Sequence, residues 1–128
     1  MTGTNRNTLA KVLAFAAVLE IGTGLALLAD PATIVMLLLG AGVSGTGVLL
    51  ARCFGIALLA LGVACWPGRQ RVDGASPVLR GMLAYNAMIA SYLAYLGAVG
   101  HYAGLLLWPA VVLHGVVALL LAWKSREG

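Results

Sequence analysis

The stretch GVLLARCFGIALLALGVACW, residues 47–66, decides the fold of this 128-residue chain. A helix of about 20 residues is about 30 Å long, which matches the hydrocarbon core of a lipid bilayer. Arg52 is the one charged residue in the run, and Pro67-Gly68 follows as a stop signal. The stretch therefore predicts a transmembrane helix.

Three further apolar stretches of similar length flank this one. The whole chain is 62% hydrophobic and 9% charged, which is more apolar than a soluble domain of this size can bury. The predicted spans cover residues 12–29, 47–66, 77–100 and 103–123. We expect a single all-α membrane domain over residues 1–128, built as a four-helix antiparallel bundle. Pro109 either kinks the last span or marks a later start.

A short helix is predicted between the first two spans. Asp30-Pro31 is typical of an N-cap followed by proline at the first helical position, and Gly40 is a C-terminal stop. The residues between them, 31–39, reach only about 13 Å, less than half of the bilayer core. We expect this helix to lie in the outer interface or to re-enter the membrane as a cap.

The basic residues predict the orientation in the membrane. Seven of the eight fall at one end of the predicted bundle: Arg6, Lys11, Arg69, Arg71, Arg80, Lys124 and Arg126. By the positive-inside rule this end, with both termini, is cytoplasmic. The first apolar run carries Glu20 and is too long for a signal peptide, so we interpret it as a retained helix. The net charge of +4 reflects topology and attraction to anionic lipid, and no nucleic-acid partner is expected.

Each predicted span carries one strongly polar residue: Glu20, Arg52, Asn86 and His114. An ionisable side chain at such depth costs at least about 2.5 kcal/mol and is expected to face the bundle interior with a partner. We expect Glu20 to pair with Arg52, while Asn86 and His114 supply further hydrogen bonds. Tyr85, beside Asn86, is a candidate fifth member. The set is either a ligand site or a clasp that fixes the order of the helices.

Small residues at spacing four predict the faces on which the spans pack. The rows are Ala16 and Gly24 around Glu20; Gly47, Ala51 and Gly55; Ala90, Ala94 and Ala98 after Asn86; and Ala110, Ala118 and Ala122 around His114. Tryptophan is typical of the membrane interface, which is where we expect Trp66, Trp108 and Trp123.

No cofactor is expected from the sequence. Cys53 and Cys65 are twelve residues apart on one predicted helix, so about 18 Å separates them and they cannot pair. His114 has no second metal or haem ligand at its depth, because His101 lies at the outer end of the same hairpin. No nucleophile lies at a recognisable spacing from His114 either, which argues against hydrolytic enzyme chemistry.

Two family resemblances follow from these residues. The segment ARCFGIALLALG, residues 51–62, after a glutamate-bearing first helix and a proline-initiated outer segment, resembles the DoxX-like group of small four-helix bacterial membrane proteins. That resemblance implies the fold and a location in the bacterial inner membrane; some members are linked to quinone-coupled oxidation or membrane chaperone roles. The segment LEIGT, residues 19–23, is similar to the first helix of small multidrug resistance transporters, although that family's Pro-Val-Gly and tryptophan motifs are absent.

Three functions are compatible with the sequence. The bundle could bind a small amphiphile, such as a lipid, a sterol-like molecule or a quinone, in a polar pocket with residues 31–39 as a lid. It could instead exchange protons for a cationic drug through Glu20, a role that a firm ion pair with Arg52 would oppose. Third, it could be a structural or accessory subunit of a homo-oligomer or larger membrane complex. Membrane lipids are partners in all three cases.

Overall fold

The structure, a computed structural model, describes residues 3–68 and 76–126. Within these ranges the chain forms five α-helices: α1 (Gly3–Ala29), α2 (Pro31–Leu39), α3 (Thr46–Ala64), α4 (Pro77–Ala98) and α5 (Leu107–Arg126). The predicted all-α class is confirmed. Arg69 and Arg71, which contribute to the predicted orientation, lie outside the described residues.

Three of these helices, α1, α3 and α5, are long and apolar enough to cross a membrane. The 22 residues of α4 are also long enough, but Arg80 and Asn86 make that helix more polar. Large apolar side chains are exposed all around the molecule, among them Phe15, Leu49 and Leu119. Such a surface is compatible with a membrane location. A fourth span stays a prediction.

The short helix α2 has the bounds that its capping residues predict. The Asp30 side chain accepts a hydrogen bond from the backbone N–H of Thr33 at 3.2 Å, and Pro31 occupies the first helical position. At the other end, Gly40 adopts a left-handed conformation with φ of 70°, and its N–H donates to the Met36 carbonyl. Local chemistry therefore sets both ends of α2.

The last helix starts later than the predicted span of residues 103–123. It begins at Leu107, so Pro109 lies in its first turn, where no backbone N–H is needed. The residues before it bond to α2 instead: Ala103 N donates to Leu39 O at 3.3 Å and Leu106 N to Leu37 O at 2.8 Å. These contacts hold the chain out of helical geometry and fix the C-terminal end of α2 against the α4–α5 connection.

Close glycine contacts join α1 and α3 as an antiparallel pair. Gly24 packs against the backbone of Gly55, and Gly62 packs against Ala17. Gly47 was predicted in the same row as Gly55, yet its nearest neighbour is Val43 and not α1. The contact row on α3 therefore runs from Gly55 to Gly62, because only those two glycines face α1.

The second antiparallel pair is α4 and α5, where Gly97 packs against Trp108. We call the end of the molecule at which α1 begins and α5 ends the terminal end, and the opposite end the α2 end. A dense apolar core joins the two pairs at the terminal end: Leu9, Leu13, Ala16, Ala17, Cys65, Leu79, Met82, Val117 and Leu121. Toward the α2 end, α3 packs on α1 and α2 and makes little contact with α4 or α5.

Candidate functional site

Asn86 and His114 form the best-defined polar contact between two helices. Asn86 lies on α4, is 1% exposed, and faces His114 of α5. The Asn86 side-chain amide donates from Nδ2 to the Met82 carbonyl at 2.9 Å, and its Oδ1 lies 2.8 Å from His114 Nδ1. Because Oδ1 can only accept, Nδ1 must carry the proton and donate to it. Two hydrogen bonds therefore fix both side chains.

Glu20 of α1 lies next to this pair and is also 1% exposed. The Tyr85 hydroxyl donates a hydrogen bond to its carboxyl group. Its Oε1 atom has no hydrogen-bond partner among the described residues and lies 3.9 Å from His114 Nδ1. A carboxyl oxygen that is buried without a hydrogen-bond donor costs free energy of folding.

Tyr85 completes the group on the α4 side. Its ring meets the His114 ring edge to face, with 5.9 Å between the centroids and an interplanar angle of 86°. We call Glu20, Tyr85, Asn86 and His114 the polar cluster. Three helices contribute to it, so the structure brings together four of the five residues that the sequence singles out.

Arg52 is the fifth, and it does not join the polar cluster. Its side chain is exposed, and no ion pair between Arg52 and Glu20 exists in the described part of the chain. The reason is the contact between Gly24 and Gly55, which fixes the height of α3 against α1. Relative to Gly24, Arg52 lies toward the α2 end, whereas Glu20 lies one helical turn toward the terminal end. About seven residues of helix, or about 10 Å, separate the two side chains along the axis. The predicted Glu20–Arg52 pair is therefore wrong.

A cavity of about 500 Å³ lies on the α2 side of the polar cluster. The residues that line it come from all five helices and from Leu106, just before α5. They are Val18, Leu19, Gly22, Thr23, Ala26, Ile34, Leu38, Phe54, Leu58, Tyr85, Ile89, Leu93, Leu106, Pro109, Ala110, Leu113 and His114. Tyr85 and His114 thus belong to both the cluster and the cavity wall. Ile34 and Leu38 of α2 cover it, while Phe54 lines it and is 43% exposed, so the cavity is open at its side.

The terminal end of the cavity is closed. Beyond the polar cluster, the apolar core around Leu13, Met82 and Leu121 is fully buried. Such close packing leaves no continuous path for a solute from the cavity to the terminal end. The arrangement is a pocket with a polar floor.

The cavity also has features that the residues alone did not indicate. Thr23 lines it three residues after Glu20, and α2 contributes two apolar side chains. The spacing of three from Glu20 to Thr23 is a helical neighbour relation and could have indicated a shared face. The cavity itself has no sequence signal, because it depends on the separation of α3 from the α4–α5 pair.

The remaining chemically active side chains lie apart from one another. No group of three or more His, Cys, Asp or Glu residues in the described ranges could hold a metal ion. Cys53 is exposed on α3, whereas Cys65 is buried at the terminal end, where its Sγ lies 3.7 Å from the Val78 carbonyl. The two thiols are free and are not part of the polar cluster.

Compared with protein-family models, curated proteins and solved structures, the chain matches none of them. The resemblances to the DoxX-like group and to small multidrug resistance transporters therefore stay predictions.

Proposed function

We propose that the chain is a four-span bacterial inner-membrane protein, with cytoplasmic termini, that binds a small amphiphile in the cavity above the polar cluster. In this proposal α4 is the remaining span and α2 lies at the outer surface. The fold would be that of the DoxX-like group.

The single observation that supports binding is the shape and chemistry of the cavity. Its volume of about 500 Å³ lies in the range typical of small-molecule sites, and its walls are apolar apart from a few polar groups. An amphiphile fits such a pocket because its tail meets the apolar wall while its head reaches Tyr85 and His114. The side opening near Phe54 would admit the ligand from the lipid.

A cavity-filling substitution tests this proposal. Ala110→Phe places a ring in the cavity, whereas Ala57→Phe makes the same change at an exposed position of α3 outside the wall. We expect native mass spectrometry with lipid analysis to find a co-purifying small molecule in the wild type and in Ala57→Phe, and a loss of it in Ala110→Phe. Equal occupancy in the two variants, or no bound molecule in the wild type, would contradict the proposal.

Proton-coupled transport of a cation is the second candidate, and one observation favours it. Arg52 does not pair with Glu20, so the ion pair that would oppose this role is missing from the described residues. Against it, the packed terminal end closes the cavity, so transport would require a second conformation. Uptake of a fluorescent cation into proton-loaded vesicles that stops in Glu20→Gln would support transport over binding alone.

A further inference from the structure

Three polar side chains on the cavity wall, Thr23, Tyr85 and His114, decide which head group the cavity can accept. Among the residues that the structure describes, every other one on the wall is apolar, and none is charged unless His114 is protonated. The question is which of these three groups can still donate a hydrogen bond and which can only accept one.

His114 offers the cavity an acceptor. The Asn86 amide is oriented by its bond to the Met82 carbonyl, so its oxygen faces His114 and the proton lies on Nδ1. In the neutral ring the other nitrogen, Nε2, then carries a lone pair. Nε2 has no hydrogen-bond partner among the described residues and is not among their buried unpartnered atoms. Since the ring lines the cavity, this lone pair is available to a ligand.

Tyr85 is already engaged by a neighbouring side chain. Its hydroxyl group hydrogen-bonds to the carboxyl group of Glu20, which lies behind the wall and is not itself part of it. Thr23 can donate or accept, so it does not select between head groups. The one group on the wall whose role is fixed by its neighbours is therefore the acceptor, His114 Nε2.

We infer that the ligand is a neutral, largely apolar molecule with a hydroxyl head group, whose O–H donates to His114 Nε2 while its tail lies beneath α2. This inference rests on the proposed binding function and names its ligand class. A carboxylate would place its lone pairs against those of the floor, and an ether would leave Nε2 without a donor. A fixed cation would lose its hydration in a mostly apolar pocket.

Isomeric probes separate these cases. 1-Decanol and 1-methoxynonane have the same atoms and nearly the same length, but only the alcohol can donate; decylamine tests a cationic head group. Each is titrated into the wild type in phosphatidylcholine nanodiscs, with ¹⁵N-histidine NMR and the thermal midpoint as readouts. His114→Phe keeps a ring in the wall and removes Nε2. The histidine signals that are absent from the spectrum of this variant belong to His114, and those that remain belong to His101.

We expect the free protein to show a neutral His114 with its proton on Nδ1. The alcohol should shift the Nε2 resonance and bind about tenfold more tightly than the ether. In His114→Phe, the alcohol should fall to the affinity of the ether. If His114→Phe fails to fold, His101→Asn, at an exposed position with φ of 56°, assigns the His114 signals instead, so the NMR readout still decides the matter.

Four results would overturn the inference. Equal binding of alcohol and ether, both lost in Ala110→Phe, would leave the pocket in place and remove the hydroxyl preference. Tightest binding of decylamine, or a proton found on Nε2 of the free protein, would show that the floor is not an acceptor for a neutral donor. No binding of any probe would refute the binding function itself.

Discussion

Asn86 is the residue that holds the polar cluster in one arrangement. Its amide group bonds to the Met82 carbonyl on one side and to His114 on the other, and it is almost completely buried. Removal of such a group leaves both partners unsatisfied, which costs more than the net value of the lost bonds. The side chain is therefore structural even if the cluster also binds a ligand.

Replacement of Asn86 by Leu, which has a similar size and no polar atoms, should destabilise the protein. We expect the free energy of unfolding to fall by about 1–3 kcal/mol. Ser91→Ala is the matched control, because Ser91 lies exposed on the same helix and its hydroxyl only bonds back to the Ala87 carbonyl. Reversible unfolding in mixed micelles measures both. Equal stabilities for the two variants would show that the Asn86 bonds contribute nothing.

Asp30 controls the start of α2. Donation from Thr33 holds the pKa of the Asp30 carboxyl below its ordinary value of 3.8. Since the folded-state pKa is the lower one, the cap stabilises α2 above the ordinary pKa and is lost as the pH falls through the folded-state value.

Asp30→Ala should therefore increase amide hydrogen exchange in residues 31–39 at neutral pH, and acid should add little to the effect. Asp30→Asn retains a capping oxygen, so we expect it to keep α2 protected and to remove the acid sensitivity. Exchange measured by mass spectrometry in nanodiscs distinguishes these cases. Unchanged exchange in Asp30→Ala would mean that the bonds to residues 103–106 hold α2 without its cap.

The packing of α1 against α3 depends on glycine residues at the contact. A methyl group added at Gly24 would lie 2.6 Å from the Gly55 carbonyl oxygen and 3.0 Å from the Leu59 backbone nitrogen. Backbone atoms cannot rotate away as a side chain can, so the helices would have to separate. This close approach is how apolar helices associate where lipid removes the hydrophobic driving force.

We expect Gly24→Ala to lower the free energy of unfolding by about 1–3 kcal/mol through overpacking. Gly22→Ala is the matched control on the same helix, because a methyl group there meets no atom within 4 Å. That change should be neutral or stabilise the helix by up to about 1 kcal/mol. Reversible unfolding in mixed micelles measures both variants. Equal free energies of unfolding for the two would show that the contact between α1 and α3 at Gly24 is unimportant for stability.

The molecule as a whole is dense at the terminal end and hollow at the α2 end. Apolar side chains from both helix pairs fill the terminal end, while α3 stands apart from α4 and α5 around the cavity. The polar cluster lies at the boundary between these halves. A ligand that enters the cavity therefore meets Tyr85 and His114. Behind these two lie Glu20 and Asn86, the only polar residues that are deeply buried among those the structure describes.

The number of spans decides on which side of the membrane the termini lie. Four spans place both termini on one side, whereas the three most apolar helices alone would place them on opposite sides. We expect Ser125→Cys to be labelled by an impermeant maleimide only after the membrane is opened, and Ser44→Cys, between α2 and α3, to be labelled in intact cells. Both variants carry Cys53→Ala and Cys65→Ala. Labelling of both positions from outside would contradict the four-span topology.

Local chemistry made several features predictable. The capping residues Asp30 and Gly40 fixed the bounds of α2, and long, predominantly apolar runs located α1, α3 and α5. Their position within those runs identified Glu20 and His114 as members of one group, because a polar side chain in an apolar environment needs a partner. These features depend on neighbours in sequence or on composition.

Three-dimensional packing decided the remainder. The sequence by itself determined an all-helical chain with apolar helices of membrane-spanning length; the tertiary structure alone decided that Glu20 meets Tyr85 and not Arg52, and that α5 begins at Leu107. The axial register of α1 against α3 depends on which glycines touch, and the start of α5 depends on bonds to α2. The physical reason is that a hydrophobic pattern specifies which face of a helix is buried, whereas the height at which two faces meet is set by steric contacts between residues far apart in the chain.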